Sequence, residues 1–207
     1  MSPRNTIAES RRTRQRIIDR SVAIASVDGL AGLTIGRLAI DLSMSKAGVL
    51  GHFGTKEALQ LAALERASAM FTSLVWEPAA ALPPGLTRLQ AVCEAWIAFL
   101  DTERAEFPGG CLFTAASVEF DGHTGPVRDT VARLLTVWRR RLVSELRYAV
   151  EAGELPSGAD PEQIVFELVG LYLNLNQSIQ LFGDTTAPAR TRHALARLLG
   201  TDQPRAD

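Results

Sequence analysis

Residues 34–59 read TIGRLAIDLSMSKAGVLGHFGTKEAL, and local chemistry divides the stretch into parts. Thr34 is a helix cap ahead of a short segment that carries Leu38, Ala39 and Leu42 at helical spacing. Ser43-Met44-Ser45 predicts a turn, and Ser45 caps a second short helix from Lys46 to Phe53. Gly54 stops it, and Thr55 caps a longer helix. Two helices of about two turns joined by a three-residue turn form a helix-turn-helix. A helix that enters the roughly 12 Å major groove of DNA must present small or polar residues there. Lys46, Ala47 and Gly48 meet that demand, and the free N–H groups of a helix N-terminus favour phosphate. The same pattern is compatible with an internally packed helical hairpin.

Upstream, Arg11–Asp28 places Ile17, Ile18, Ser21, Val22 and Ala25 at helical spacing, with arginines on the other faces and Gly29 as a stop. Residues 1–56 hold nine Lys/Arg against four Asp/Glu, a charge of +5, whereas the remainder holds 13 against 19, a charge of −6. A basic head on an acidic body points the head alone at a polyanion, the alternative being a solvated basic helix. Arg11, Arg12, Arg14 and Arg16 are expected to strengthen the salt-dependent part of that attraction.

Downstream, helices are predicted from Thr55 toward Trp76, over Leu86–Leu100, Cys111–Phe120 and Pro126–Gly153, from Asp160-Pro161 to Gly183, and over Thr186–Leu199. About nine helices and no convincing strand give an all-α chain. With 46% hydrophobic and 22% charged residues, extended disorder is excluded. No apolar run reaches membrane-spanning length, and Met1–Arg16 lacks the apolar core of a signal peptide. Two cysteines, Cys93 and Cys111, fit a reducing compartment, so a cytoplasmic setting and no membrane partner are expected.

Residues 34–59, with Ile17, Ile18 and Gly29 upstream, closely resemble the DNA-binding signature of the tetracycline-repressor (TetR) family. The match fixes apolar positions (Leu38, Leu42, Val49, Phe53), turn positions and the trailing Lys56-Glu57 together. The resemblance implies that Lys46, Ala47 and Gly48 face base edges, that Thr34 and Lys56 meet phosphates, and that His52 approaches the DNA backbone. Arg37, Ser45 and Leu50 complete the expected DNA-facing set. Leu50 departs from the family, replacing a phosphate-binding tyrosine. Gly36 and Gly51 stand where larger polar residues are common, and each helical glycine costs about 1 kcal/mol relative to alanine. The expected division is a DNA-binding domain over 1–54 and a ligand-binding and dimerisation domain over 55–207.

The body must then dimerise and sense. Along Asp160–Phe182, apolar residues cover roughly 220° of arc at about 100° per residue, more than one packed face requires. Val165, Val169 and Leu173 are the expected homodimer surface, which suits two half-sites of a palindromic operator. A fully buried central helix in a monomer is the alternative. Trp96, Phe99, Phe113, Trp138 and Tyr172 are the candidate lining of an effector cavity, which the resemblance implies, although aromatic residues at such spacing also build plain cores. Cys111 follows two glycines at a helix start, where a thiolate is favoured and a redox role is admitted. Glu119, Asp121 and His123 are a weak metal candidate with a single histidine. No nucleophile elbow, phosphate-binding glycine loop or histidine pair at metal spacing is present. The expected partners are double-stranded DNA, a second copy of the chain and a mostly apolar small molecule, with no cofactor and no catalysis. The alternatives are an all-α enzyme acting on a small apolar substrate and a ligand-independent DNA-binding protein.

Overall fold

A computed structural model describes residues 3–102 and 105–201, with side chains from residue 7 onward. Among these residues there are nine α-helices and no strand: α1 (Pro3–Gly32), α2 (Ile35–Asp41), α3 (Lys46–Phe53), α4 (Lys56–Phe71), α5 (Leu86–Asp101), α6 (Leu112–Glu119), α7 (Pro126–Glu151), α8 (Pro161–Gln180) and α9 (Ala187–Leu198). The expected starts and stops recur with their causes. Thr34 Oγ1 accepts from Arg37 N, Ser45 Oγ from Gly48 N, Thr55 Oγ1 from Ala58 N, and Asp160 from Glu162 N and Gln163 N. Gly29, at φ 74° and ψ 169°, breaks α1 where the stop was predicted. The helix expected to run from Thr55 toward Trp76 ends instead at Phe71. A π-helical turn over Thr72–Trp76 and a 3₁₀ turn over Glu77–Ala79 succeed it.

The chain forms two compact units, Met1–Met70 with Glu103–Leu134 and Phe71–Thr102 with Leu135–Asp207. The segment that includes α6 packs in the same unit as the head. Ile17, Ile24, Leu33, Leu38, Ala39, Val49 and Leu59 make the core of the helix-turn-helix. A Cβ on Gly109 would lie 2.0 Å from the Ser26 carbonyl oxygen, so only glycine permits that approach to α1. Glu119, at the end of α6, accepts from Leu30 N at 2.8 Å and Ala31 N at 2.5 Å. Its carboxylate thus takes up amides exposed by the break at Gly29.

In the second unit Leu89, Ile97, Leu142, Leu146, Leu168 and Leu175 are fully buried. Glu145 is also buried on α7. It accepts from Gly85 N at 3.0 Å and pairs with Arg88 at 3.2 Å, which answers the cost of removing its charge from water.

Candidate functional site

In the head, α2 and α3 are joined by Leu42–Ser45, with Ser43 at φ 54°. Val49 is the inward anchor of α3, while Ser45, Lys46, Ala47, Leu50 and Gly51 are exposed and Gly48 and His52 are half-buried. A short helix thus turns its polar start and a small-residue face outward. A Cβ on Gly51 would meet nothing within 4 Å, so its smallness leaves open surface. Gly36 lies beside the start of α3. A Cβ there would make ordinary van der Waals contact with the Lys46 stem, at 3.5 Å from its Cε.

Three of the four acids of residues 1–56 neutralise specific arginines. Asp41 pairs with Arg20, Asp28 with Arg37 at 2.6 Å, and Asp19 with Arg66 at 2.7 Å. Arg37 is therefore engaged within the head, although half of its side chain stays exposed. The Arg14 guanidinium lies 4.9 Å from the Phe53 ring centre, so this first-helix cation is held against the end of α3. Arg11, Arg12 and Arg16 are exposed. Lys56, read from sequence as a phosphate ligand, donates to the Ala31 carbonyl at 2.6 Å, and Gln60 donates to Leu30 O at 2.7 Å. Together with Glu119, these side chains fasten the corner that leads into α2. Lys56 is exposed, and an ammonium has three donors, so this bond leaves two for an anion.

The second unit brings Trp96, Phe99, Trp138 and Tyr172 together, as the sequence reading grouped them, and adds Phe71 and Trp76. Phe71 is the hub. It meets Trp96, Phe99 and Trp138 edge-on, at 5.7, 5.3 and 4.9 Å between ring centres. Trp96 stacks on Tyr172 at 3.7 Å and 8° and meets Trp138 at 5.3 Å. Trp76 lies 6.2 Å from Trp138, and the Arg141 guanidinium sits 5.3 Å from the Trp76 ring centre. Phe113, expected in the same group, belongs to the head unit on α6. Sequence spacing missed Phe71 and Trp76 because five residues span about 140° beyond a full turn of α-helix. The π turn closes i→i+5 instead and carries both rings to Trp138.

The family is evident in the body as well as the head. Residues 85–195 match the sequence family described as "Tetracyclin repressor-like, C-terminal domain". The chain belongs to that family. A TetR-family transcriptional regulator from Cytophaga hutchinsonii is similar in structure at TM-score 0.80 and 22% identity, over 93% of this chain and 96% of that one. A TetR regulator from Chloroflexus aurantiacus J-10-FL is similar at TM-score 0.83 and 19% identity, over 95% and 98%. AibR, solved in complex with isovaleryl coenzyme A and operator DNA, is similar at TM-score 0.73 and 18% identity, over 90% and 97%. Comparison with curated protein sequences gives no match.

Within this TetR-like chain several sequence readings change. Burial raises the Cys111 thiol pKa, so the thiolate expected at that helix start is disfavoured. Glu119 is committed to the Leu30 and Ala31 amides rather than to a group with Asp121 and His123. On α8, Val165 is buried in its own unit and contributes to its core, whereas Leu173 is 44% exposed and Val169 half-buried. Phe166, 71% exposed, lies on the same side of α8. A cleft of about 670 Å³, lined by Thr136, Arg139, Arg140, Val143, Ser144, Arg147 and Glu162, occupies the polar side of α7. Arg147 and Glu162 pair across it at 2.6 Å. No helix among the described residues is long and apolar enough to cross a membrane.

Proposed function

We propose that this DNA-binding TetR-family regulator is a homodimeric repressor, that its two heads hold a palindromic operator, and that a mostly apolar small molecule releases it. The observation that carries the reading is the pair of capped helices α2 and α3, which hold Lys46, Ala47 and Leu50 outward on a packed base. Lys46 donates to base edges at the mouth of the groove, while Thr34, His52 and Lys56 contact the phosphates. Ala47 and Gly48 let the main chain approach, and Leu50 supplies apolar contact where a tyrosine would donate. The first-helix arginines add affinity that falls with salt.

Dimerisation through α8 is supported by its exposed Phe166 and Leu173, with Val169 and Gly170 between them. A two-fold axis then presents two α3 helices to half-sites about 34–36 Å apart. The effector reading draws on the aromatic cluster and on AibR, whose complex contains isovaleryl coenzyme A and operator DNA. Phe71 ends α4, the helix that starts directly after α3 and its Gly54-Thr55 link. A ligand that binds one arrangement of the cluster more tightly shifts the population of head spacings.

The test is selection of binding sites from random double-stranded DNA, followed by binding and sedimentation measurements on the selected sequence. An inverted repeat bound by two copies is expected. Leu173→Glu buries an unpaired charge in the proposed interface and should give folded monomers with much weaker operator binding. Selection without an inverted repeat, or a Leu173→Glu dimer of unchanged affinity, overturns the homodimer. Operator binding unaffected by a library of apolar metabolites overturns ligand release.

A further inference from the structure

Trp138 is oriented against ordinary chemistry. The residue is half-buried, yet its Nε1 is fully buried and makes no hydrogen bond. A buried indole N–H normally finds a partner, and the apolar edge of the ring is the part that tolerates burial. Here the polar atom is the part turned away from water. Among the described residues it is the sole buried side-chain nitrogen or oxygen left in that condition.

Its surroundings explain the lack of an acceptor and define what would supply one. The rings nearest Trp138 are Phe71, Trp96 and Trp76, at 4.9, 5.3 and 6.2 Å, so hydrocarbon and indole surface crowd the site. Tyr172 carries the one hydroxyl among the six rings, and its proton is committed to the Cys93 carbonyl at 2.9 Å. Burial pushes the Cys93 thiol up to about 12 and the Tyr172 phenol well above its ordinary value, so an ionised group is strongly disfavoured there. A second, independent departure coincides with the first: Phe71 directly precedes the π turn and Trp76 ends it, a backbone form concentrated at functional sites. The parallel Trp96–Tyr172 stack shows that rings of this cluster pack face to face as well as edge-on.

We propose that this cluster binds a neutral, flat, apolar ligand that sets one uncharged acceptor oxygen, a ketone or ether, against Trp138 Nε1. The proposal rests on the effector reading above and narrows it. Indole is a donor only, so a ligand that brings another donor leaves the N–H unsatisfied. A hydrocarbon of equal shape packs against the rings but leaves the N–H unsatisfied. An anion satisfies the N–H but must surrender its hydration among aromatic rings. The ketone answers the donor at the least desolvation cost.

The probes are matched pairs, benzophenone with diphenylmethane and 9-fluorenone with fluorene, each differing by a carbonyl in place of a methylene. Binding to the full chain is measured by tryptophan fluorescence, and the indole N–H signals are followed by NMR, with Trp76→Phe and Trp138→Phe assigning them. At least one ketone should bind about tenfold more tightly than its hydrocarbon, the increment of one neutral hydrogen bond. It should move the Trp138 N–H signal downfield, and Trp138→Phe should erase the tenfold preference while the hydrocarbon still binds. Benzophenone-4-carboxylate should bind at least tenfold more weakly than benzophenone. The wild-type NMR shift tests the contact even where Trp138→Phe folds poorly. Equal affinity within each pair, with the Trp138 signal unmoved, overturns the acceptor contact and leaves an apolar effector site standing. Equal binding of the carboxylate overturns the requirement for a neutral ligand. If none of the probes binds to a protein that still holds its selected operator, both this proposal and the aromatic cluster as effector site are overturned.

Discussion

The helix-turn-helix and the aromatic cluster are built by opposite means. Each cap of the head joins residues three apart, Thr34 to Arg37 and Ser45 to Gly48, and its outward residues fall in one short run of chain. The cluster draws on the end of α4, the π turn, α5, α7 and α8, so its rings come from positions as distant as Phe71 and Tyr172. Altering a local device disturbs little beyond itself, whereas altering a hub shared by several elements loosens all of them. The difference separates what can be changed in the regulator without loss of fold from what cannot.

The sharpest way to break the comparison is Trp96→Ala. Trp96 is 8% exposed and touches Phe71, Trp138 and Tyr172, so its removal should cost about 3–5 kcal/mol. Thermal unfolding followed by circular dichroism should show a drop of about 10 °C, near 2–4 °C per kcal/mol for a chain of this size. A drop of a degree or two would show that the cluster is loosely packed. Its contribution to stability would then be no greater than that of a cap.

Glu119→Ala is the next largest. It strands the Leu30 and Ala31 amides at the break in α1, and charge-assisted bonds of this kind contribute about 2 kcal/mol. Hydrogen exchange at those two amides should accelerate as stability falls. Unchanged exchange would mean that the corner is held by Lys56 and Gln60 alone. Ser45→Ala removes a single cap and should cost about 1 kcal/mol by urea unfolding, with the cluster's fluorescence unchanged.

Lys46→Ala and Lys56→Ala probe the head without entering its core. Lys46→Ala should weaken the selected operator more than random DNA. Lys56→Ala should weaken both and lower the salt slope by about one unit for each phosphate that is no longer neutralised. Equal weakening by both variants on both DNAs would remove Lys46 from base readout. The smallest effect concerns the thiols. Burial raises the Cys93 thiol from 9.0 to about 12, so the folded protein holds this proton more tightly than the unfolded chain does. The resulting stabilisation is complete below pH 9 and is lost as pH rises from 9 toward 12. At pH 8 iodoacetamide should leave Cys93 and Cys111 unmodified in the folded protein and label both in urea; rapid labelling without urea would show that the buried thiols are readily uncovered.

The sequence by itself determined the element order, most helix ends, the helix-turn-helix and the basic head. These arise from caps, stops and periodicities that act within four residues, and composition cannot conceal them. The family resemblance suggested Trp96, Phe99, Phe113, Trp138 and Tyr172 as one set, four of which meet, although Tyr172 joins the others only through the fold. Tertiary structure alone decided the rest. Phe71 and Trp76 join the cluster through a change of helical pitch that side-chain spacing does not encode. Glu119 finds its partners 88 and 89 residues away. Gly109 matters because of one carbonyl of Ser26. Val165 and Leu173, both apolar on one helix, part to inside and outside only once α8 has neighbours. An apolar residue in the sequence shows that burial is favourable; which surface buries it depends on where distant segments come to rest.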